Sequence, residues 1–344
     1  MRKMATIRKI DSIRPIEGAD AIECAIVGGW TVVIKKGDFA VGDLAIYCEI
    51  DSFIPSTIAP YLTKPGHYPK VFEGVEGERL RTVKLRGQLS QGLLLPLLQG
   101  VDEIVQSEGA DVSDALGIVK YEAPIPAQLA GEVRGMFPSW IPKTDQERVQ
   151  NLSIEFKQWI DEGNDISWEV TEKLDGSSMT VYIRDGEVGV CSRNLDLKHN
   201  IDNSLWRAAY KHELPAKLTS IGRNIAVQGE LVGPGVQTNL YKINSVDFFV
   251  YDIYDIDAGK YFTPAERRAF VEEHNLNHCP VLAYNAKLFD TLGINSIDQM
   301  LKFAEGKTVL GTGGAEREGV VLKCNERQMS FKAISNKFLL KHGD

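Results

Sequence analysis

The run Lys173-Leu174-Asp175-Gly176-Ser177-Ser178 holds the residue types best suited to chemistry in this chain of 344 residues. It closes a strand-like apolar stretch, Ile166 to Glu172. A lysine amine is a nucleophile only when neutral, and free lysine titrates near ~10.4, so at neutral pH it is mostly protonated. Burial or a neighbouring positive charge would lower that value and expose the lone pair. With a carboxylate two residues on and a glycine to turn the chain, the run has what a covalent nucleotidyl-transfer site needs. There an amine attacks the α-phosphate of a nucleotide.

Five segments downstream have matching uses: Cys191-Ser192-Arg193-Asn194, Gln228 to Gly235, Phe248 to Ile253, Glu318 to Lys323, and Ser330 to Lys337. Asp175, Glu230 and Glu318 suit a hydrated Mg²⁺ or Mn²⁺, since a hard cation prefers oxygen ligands and Mg²⁺ keeps several waters. Such an ion would stabilise charge on the α-phosphate and help depress the Lys173 pKa. Arg193 and Lys332 suit charge-assisted hydrogen bonds to phosphate or ribose oxygens. Tyr251 offers a flat face for a base and Val321 an apolar one opposite. Any one of these segments alone reads as a turn or a strand end; their order together does not.

That ordered set resembles motifs I, III, IV and V of the covalent nucleotidyltransferases, the ATP-dependent ligases and GTP-dependent capping enzymes. Gly229-Glu230-Leu231-Val232-Gly233-Pro234-Gly235 and Phe248-Phe249-Val250-Tyr251-Asp252-Ile253 look like the RNA ligase branch that includes the kinetoplastid editing ligases. Lys84-Leu85-Arg86-Gly87-Gln88 with Ser90-Gln91-Gly92, and Pro142-Lys143-Thr144-Asp145 with Arg148-Val149-Gln150-Asn151, are similar to the subgroup that carries an OB domain before the catalytic one. The resemblance implies Lys173 as the adenylated nucleophile and Glu172 at the adenine edge. It implies Arg193 and Glu230 on the nucleotide or metal, Tyr251 stacked on adenine, and Val321 beneath the base. Glu318 then serves the metal and Lys332 the α-phosphate. Several relatives place a second lysine two residues after the last of these. This chain has Ile334 there, so the phosphate interaction is either missing or supplied by Lys323 or Lys337.

The implied activity is an ATP-dependent RNA ligase that joins 3′-OH and 5′-phosphate ends through lysyl-AMP and adenylated RNA, with RNA ends in a nick or duplex as partner. The alternatives are a DNA ligase or capping-type transferase, and a nucleic-acid-binding protein with an inactive transferase domain. Those enzymes normally carry their OB domain after the catalytic lysine, whereas only Ala333 to Asp344 follows Lys332 here. Other candidates are weaker. His274 and His278, with Cys279, lack the glutamate of a zinc-binding HExxH helix. Gly311-Thr312-Gly313-Gly314 lacks the Lys-Ser/Thr of a P-loop. Ser177 and Ser178 have no His-Asp pattern beside them.

The elements that must position these residues fall in two parts. Short runs at Ile7–Ile13, Ala21–Val27, Trp30–Ile34, Leu44–Ile50, Leu80–Leu85 and Leu93–Leu95 predict a small barrel or sandwich, and an OB barrel fits the count. Prolines between 123 and 142 suggest a linker, and Thr144 to Glu147 reads as a capping box opening a helix over 145–161. Strands then dominate, with helices predicted near 201–212, 263–275 and 296–305, and Asp185-Gly186 turning a hairpin. The expected fold class is α+β: an OB-like, nucleic-acid-binding β-barrel over 1–120, a linker over 121–150, and over 151–344 an adenylyltransferase ligase domain with an ATP-grasp-like antiparallel sheet. Five dispersed cysteines suit a reducing compartment, and no stretch reaches the ~18 apolar residues of a membrane span. A cytoplasmic monomer is expected. The net charge of −8 repels nucleic acid overall, so phosphate binding must come from a local stripe, and Arg81, Lys84 and Arg86, with Arg79 before them, form one.

Overall fold

The computed structural model describes residues 2–97, 107–123, 131–161, 166–312 and 314–342. Pro124 to Pro126 and Gly313 therefore lie outside the described residues. The chain divides into two compact units, Met1–Pro124 with Leu339–Asp344, and Ile125–Phe338.

The first unit is built from short antiparallel strands. Leu44–Cys48 is central, pairing with Ala5–Lys9 on one side and Leu93–Leu95 on the other. Both of its faces are covered. Ile46 and Cys48 pack with Met4, Ala5, Ile7 and Ile54, while Ala45 and Tyr47 pack with Trp30, Val32 and Leu94. The strand is therefore buried on both faces, one in each of two apolar clusters, and in the second the Trp30 and Tyr47 rings stack 5.6 Å apart. The expected run Ile7–Ile13 divides into Ala5–Lys9 and Ser12–Pro15. Leu80–Leu85 is not one strand either: Val75–Arg79 precedes it, and only Val83–Leu85 continues as a hairpin with Gln88–Ser90.

The second unit holds two sheets. The smaller runs Glu147–Arg148, Ser330–Ile334, Gly319–Cys324, Trp168–Lys173, Val281–Ala286. Trp168, Val170, Val320, Leu322, Phe331 and Ala333 bury one of its faces against Phe156, Trp159, Met300 and Leu301. The larger sheet is centred on Ser177–Arg184, Ile225–Val232 and Asp247–Asp255. Met179, Val181, Val227 and Val250 bury its outer face with Trp206, Leu214, Leu218 and Phe270. Strict alternation of side chains along these strands sends the remaining ones to the opposite faces, where chemistry is possible.

Several expectations need correction. The helix predicted over 145–161 is α-helical only over Ser153–Asp161. Glu147–Arg148 is a strand and Val149–Leu152 a 3₁₀ turn. The capping box fails because the Thr144 hydroxyl is engaged by Tyr251 and Ser178 instead of by backbone amides. The stretch read as linker carries strands within its described part: Val133–Met136 pairs with Leu195–Leu197, and Glu147–Arg148 lies parallel to Phe331 and Lys332. The helices Ser204–Lys211, Pro264–Glu273 and Ile297–Ala304 form as read, capped by Asn203, Thr263 and Ser296, with a full capping box at Thr263 and Glu266. A further helix, Leu214–Ile221, was not expected. Asp185 and Gly186, at φ 52° and 84°, turn the hairpin as read.

Candidate active site

Lys173 is the last residue of its strand in the smaller sheet, and Ser177 is the first of its strand in the larger one. The Lys-Leu-Asp-Gly run is thus the corner at which the chain passes between sheets, and this places the amine at the cleft they form. Gly176 is needed there for closeness rather than for turning: a Cβ would stand 2.1 Å from the Leu231 carbonyl oxygen. The Asp175 amide donates to the Tyr241 hydroxyl, which fixes the corner further.

Pairing registers identify what shares the cleft with Lys173. Lys173 lies opposite Gly319, Thr171 opposite Val321, and Val321 opposite Lys332, so these side chains line one wall. Ser178 lies opposite Glu230, and Thr180 opposite Gln228, on the other. Tyr251 reaches that wall through a bulge. Gly229 pairs with Val250 and Gln228 with Asp252, leaving Tyr251 as the extra residue between them; a bulge of this kind re-aims a side chain.

The Lys173 Nζ lies 2.7 Å from the Glu318 carboxylate. Burial acts to lower its pKa, but Glu318, Glu230 and Asp175 outweigh that and hold the ammonium above its ordinary value. The lowered pKa anticipated from burial is therefore not a property of the chain alone. Burial, with the nearby charges of Glu318 and Asp175, pushes the Glu230 carboxyl up to about 8 against the pull of Lys173. Among the described residues no three such side chains stand close enough to form a ready-made metal cluster, and Glu318 is engaged by the lysine.

The other predicted residues have definite places. Glu172 is fully buried, and its carboxylate accepts from the Val309 amide. Its side chain alternates to the opposite face from Lys173, and its amide donates to the Pro280 carbonyl. Arg193 is exposed and bonded to Asp145 at 2.9 Å. The Tyr251 hydroxyl meets Thr144 at 2.9 Å and Ser178 at 2.8 Å; burial, then Glu230, raise its pKa, so the phenol stays neutral. Ile334 is buried opposite Gly319. Neither lysine considered as its replacement is turned to that task. Lys323 is buried against Asp252 and the Tyr251 carbonyl, its pKa pushed down to about 8 chiefly by burial, and Lys337 bonds Glu305. His278 instead accepts from Arg267, whose guanidinium is fully buried between Glu169 and Asp252. In the first unit Arg81, Lys84 and Arg86 are exposed around the Val83–Ser90 hairpin. Sequence reasoning gave no role to Arg148, although its strand sets it beside Lys332, nor to Thr144 and Tyr241. The only signal was the Thr144-Asp145 to Arg148 stretch.

Comparison with known proteins identifies the family. The profile of the RNA ligase family matches residues 166–339, and that of an OB-fold domain matches residues 4–97. No curated protein sequence matches the chain. Among solved structures, Naegleria gruberi RNA ligase with PPi is 44% identical with a TM-score of 0.81, the match covering 99% of both chains. A lysine-to-methionine mutant of that ligase with AMP and Mn gives 44% identity and a TM-score of 0.82 over 100% of both. A lysine-to-alanine mutant with ATP and Mn gives 44% and 0.81 over 99% of both. With its amino-terminal OB fold and the α+β unit that holds Lys173, the chain belongs to the RNA ligase family.

Proposed function

We propose that this RNA ligase works with ATP and a divalent cation, and that Lys173 is the residue that carries AMP. The observation that carries this reading is the corner position of Lys173, its Nζ facing Glu318, Glu230 and Asp175 between two walls of complementary chemistry. The ATP, AMP, PPi and Mn bound by the Naegleria enzyme and its mutants support it. In the first step the neutral amine attacks the α-phosphorus. A P–N bond forms, the bond to the β-phosphate oxygen breaks, and pyrophosphate leaves. AMP then passes to the 5′-phosphate of an RNA end. Finally a 3′-hydroxyl attacks that activated phosphate, the phosphodiester forms and AMP departs. The chain contributes position and charge, which suffice for phosphoryl transfer chemistry of this kind.

Tyr251 and Val321 hold the base from opposite sides, and Glu172 borders it. Arg193 and Lys332 take ribose or phosphate oxygens, with Arg148 as the second cation beside Lys332 where Ile334 has none. The carboxylates of Asp175, Glu230 and Glu318 fit a cation: burial first, then the charges of Glu318 and Asp175, raise the Glu230 pKa, and an opposite charge beside them favours the ionised carboxylate. A divalent ion held there supplies positive charge that favours the neutral amine and balances the α-phosphate. Arg81, Lys84 and Arg86 of the OB fold grip the RNA backbone. The substrate is a nicked or duplex RNA, sealed by a monomer in the cytoplasm as part of RNA repair; among the described residues no helix is long and apolar enough to cross a membrane. Incubation with labelled ATP or GTP followed by a denaturing gel tests the reading. Label from ATP, lost in Lys173→Ala, is expected. Label from GTP alone would indicate a capping-type enzyme, and no label an inactive domain. A panel of nicks with RNA or DNA on each strand then defines the substrate.

A further inference from the structure

Residues 142–146 form neither helix nor strand, yet each makes a hydrogen bond to a strand of the larger sheet or to the turn at 192–194 between two of its strands. The Pro142 carbonyl accepts from Gln228 Nε2 at 3.0 Å. Lys143 Nζ lies 3.4 Å from Asn194 Oδ1. The Thr144 hydroxyl completes a triangle with Tyr251 and Ser178, with sides of 2.9, 2.8 and 3.5 Å. Asp145 Oδ1 accepts from Arg193 Nη2 at 2.9 Å, and Gln146 Nε2 donates to Asp252 Oδ2 at 3.3 Å. An irregular segment has no backbone ladder to keep it in place, so its side chains determine where it lies. Here two adjacent ones end on the two side chains that the preceding reading assigns to base and ribose or phosphate.

We propose that Thr144 and Asp145 are positioning residues for nucleotide capture. This rests on the assignment of Tyr251 and Arg193 to the nucleotide. Thr144 and Ser178 both bond the phenol oxygen and so anchor the far end of the Tyr251 ring before the base arrives. Asp145 keeps the long, exposed Arg193 side chain in one place instead of letting it sample many rotamers. Groups already ordered cost less to order on binding, so the gain falls on affinity for ATP rather than on the attack itself. A purely structural tie would instead reduce folding stability and leave the nucleotide dependence alone.

The test uses the full chain, following lysyl-AMP formation in single turnovers across ATP concentrations, with thermal melting in parallel. Thr144→Val, which keeps the shape and loses the hydroxyl, is expected to raise the ATP concentration for half-maximal rate by about three- to tenfold, the effect of one net hydrogen bond. The maximal rate and melting temperature should stay near the parent's, and Thr144→Ser should restore affinity. Asp145→Ala is expected to weaken ATP affinity in the same sense, with Asp145→Asn intermediate. If Thr144 acts through Tyr251, adding Thr144→Val to Tyr251→Phe costs little more than Tyr251→Phe alone. Parental ATP dependence in both Thr144→Val and Asp145→Ala overturns the proposal, as does full additivity with Tyr251→Phe. Failure of the underlying reading looks different: the parent forms no lysyl-AMP, or Lys173→Ala still does.

Discussion

Lys173 shares its end of the cleft with three carboxylates, so a substitution there changes charge more than packing. Its side chain is 26% exposed, and Lys173→Ala is expected to fold yet take no label from ATP. Lys173→Arg is expected to fail equally, since a guanidinium stays protonated and cannot attack phosphorus; ATP label on either folded variant would contradict the assignment. Glu230 yields a second expectation. Burial and the neighbouring carboxylates push its carboxyl up to about 8, so below that pH a cation must displace a proton. Mn²⁺ affinity should rise with pH up to about 8 and then level, and Glu230→Gln should lose that slope; direct titration of Mn²⁺ across this range decides it. For Tyr251, Ala should weaken adenylation by ~1–3 kcal/mol through lost stacking, and Phe by about 1 kcal/mol through its hydroxyl partners. Measured ATP affinities for the two variants should keep that order. The nucleophile and its carboxylates were legible in the sequence because reactive types announce their chemistry. Thr144 was not, because its partner Tyr251 lies 107 residues away and its local pattern matched a helix cap.

Behind the cleft, elements are tied by buried charge. Arg267, from the helix Pro264–Glu273, pairs with Glu169 of one sheet and Asp252 of the other, and its Nε donates to His278. Breaking one member of such a set leaves the rest buried and unpaired, which costs far more than a surface pair. Burial and the neighbouring Arg267 push His278 down to about 4, below its unfolded ~6.5. Between those values the unfolded chain binds more protons, so the contribution is fully present above about 6.5 and is lost as pH falls toward 4, by roughly 3 kcal/mol. Denaturant unfolding over that range should show the loss, and His278→Gln, which keeps a donor and an acceptor, should flatten it; an unchanged slope would remove His278 from the account. Capped, periodic helices such as Pro264–Glu273 and Ile297–Ala304 were readable because signal and structure are both local. Leu214–Ile221 follows Glu213 at φ 55° with no side-chain cap, and Glu147–Arg148 is a strand only because Phe331 and Lys332 lie beside it. The helix is nonetheless bounded by Pro215 in its first turn and by Gly222 at its end, at φ 68°, local signals that the reading passed over, whereas the strand has its cause outside its own sequence.

Across the whole molecule the order of parts, many short strands before a lysine-bearing α+β unit, was readable from turn spacing and from motif order. The strands within the stretch read as linker were missed because proline density marks irregular backbone without saying what that backbone touches. Charge is the property that only the whole chain sets. At −8 the summed field opposes RNA, and affinity must come from a local cationic surface acting over roughly a Debye length, about 8–10 Å in ordinary salt. Arg79 is already held by Asp51. Arg81, Lys84 and Arg86 are exposed, and none of them is ion-paired among the described residues. Replacing those three with Gln in the full chain should therefore leave lysyl-AMP formation intact, since neither ATP nor the cation site involves them. Sealing of nicked RNA should weaken, most at moderate salt. A variant that neutralises fewer phosphates releases fewer counterions, so the slope of log affinity against log salt should fall by up to ~2 when three cations are removed. RNA binding measured across a salt titration, beside sealing and adenylation rates, separates the steps. A triple variant with the parent's slope and sealing rate would make the hairpin an ordinary solvated edge and move the RNA surface elsewhere on the molecule.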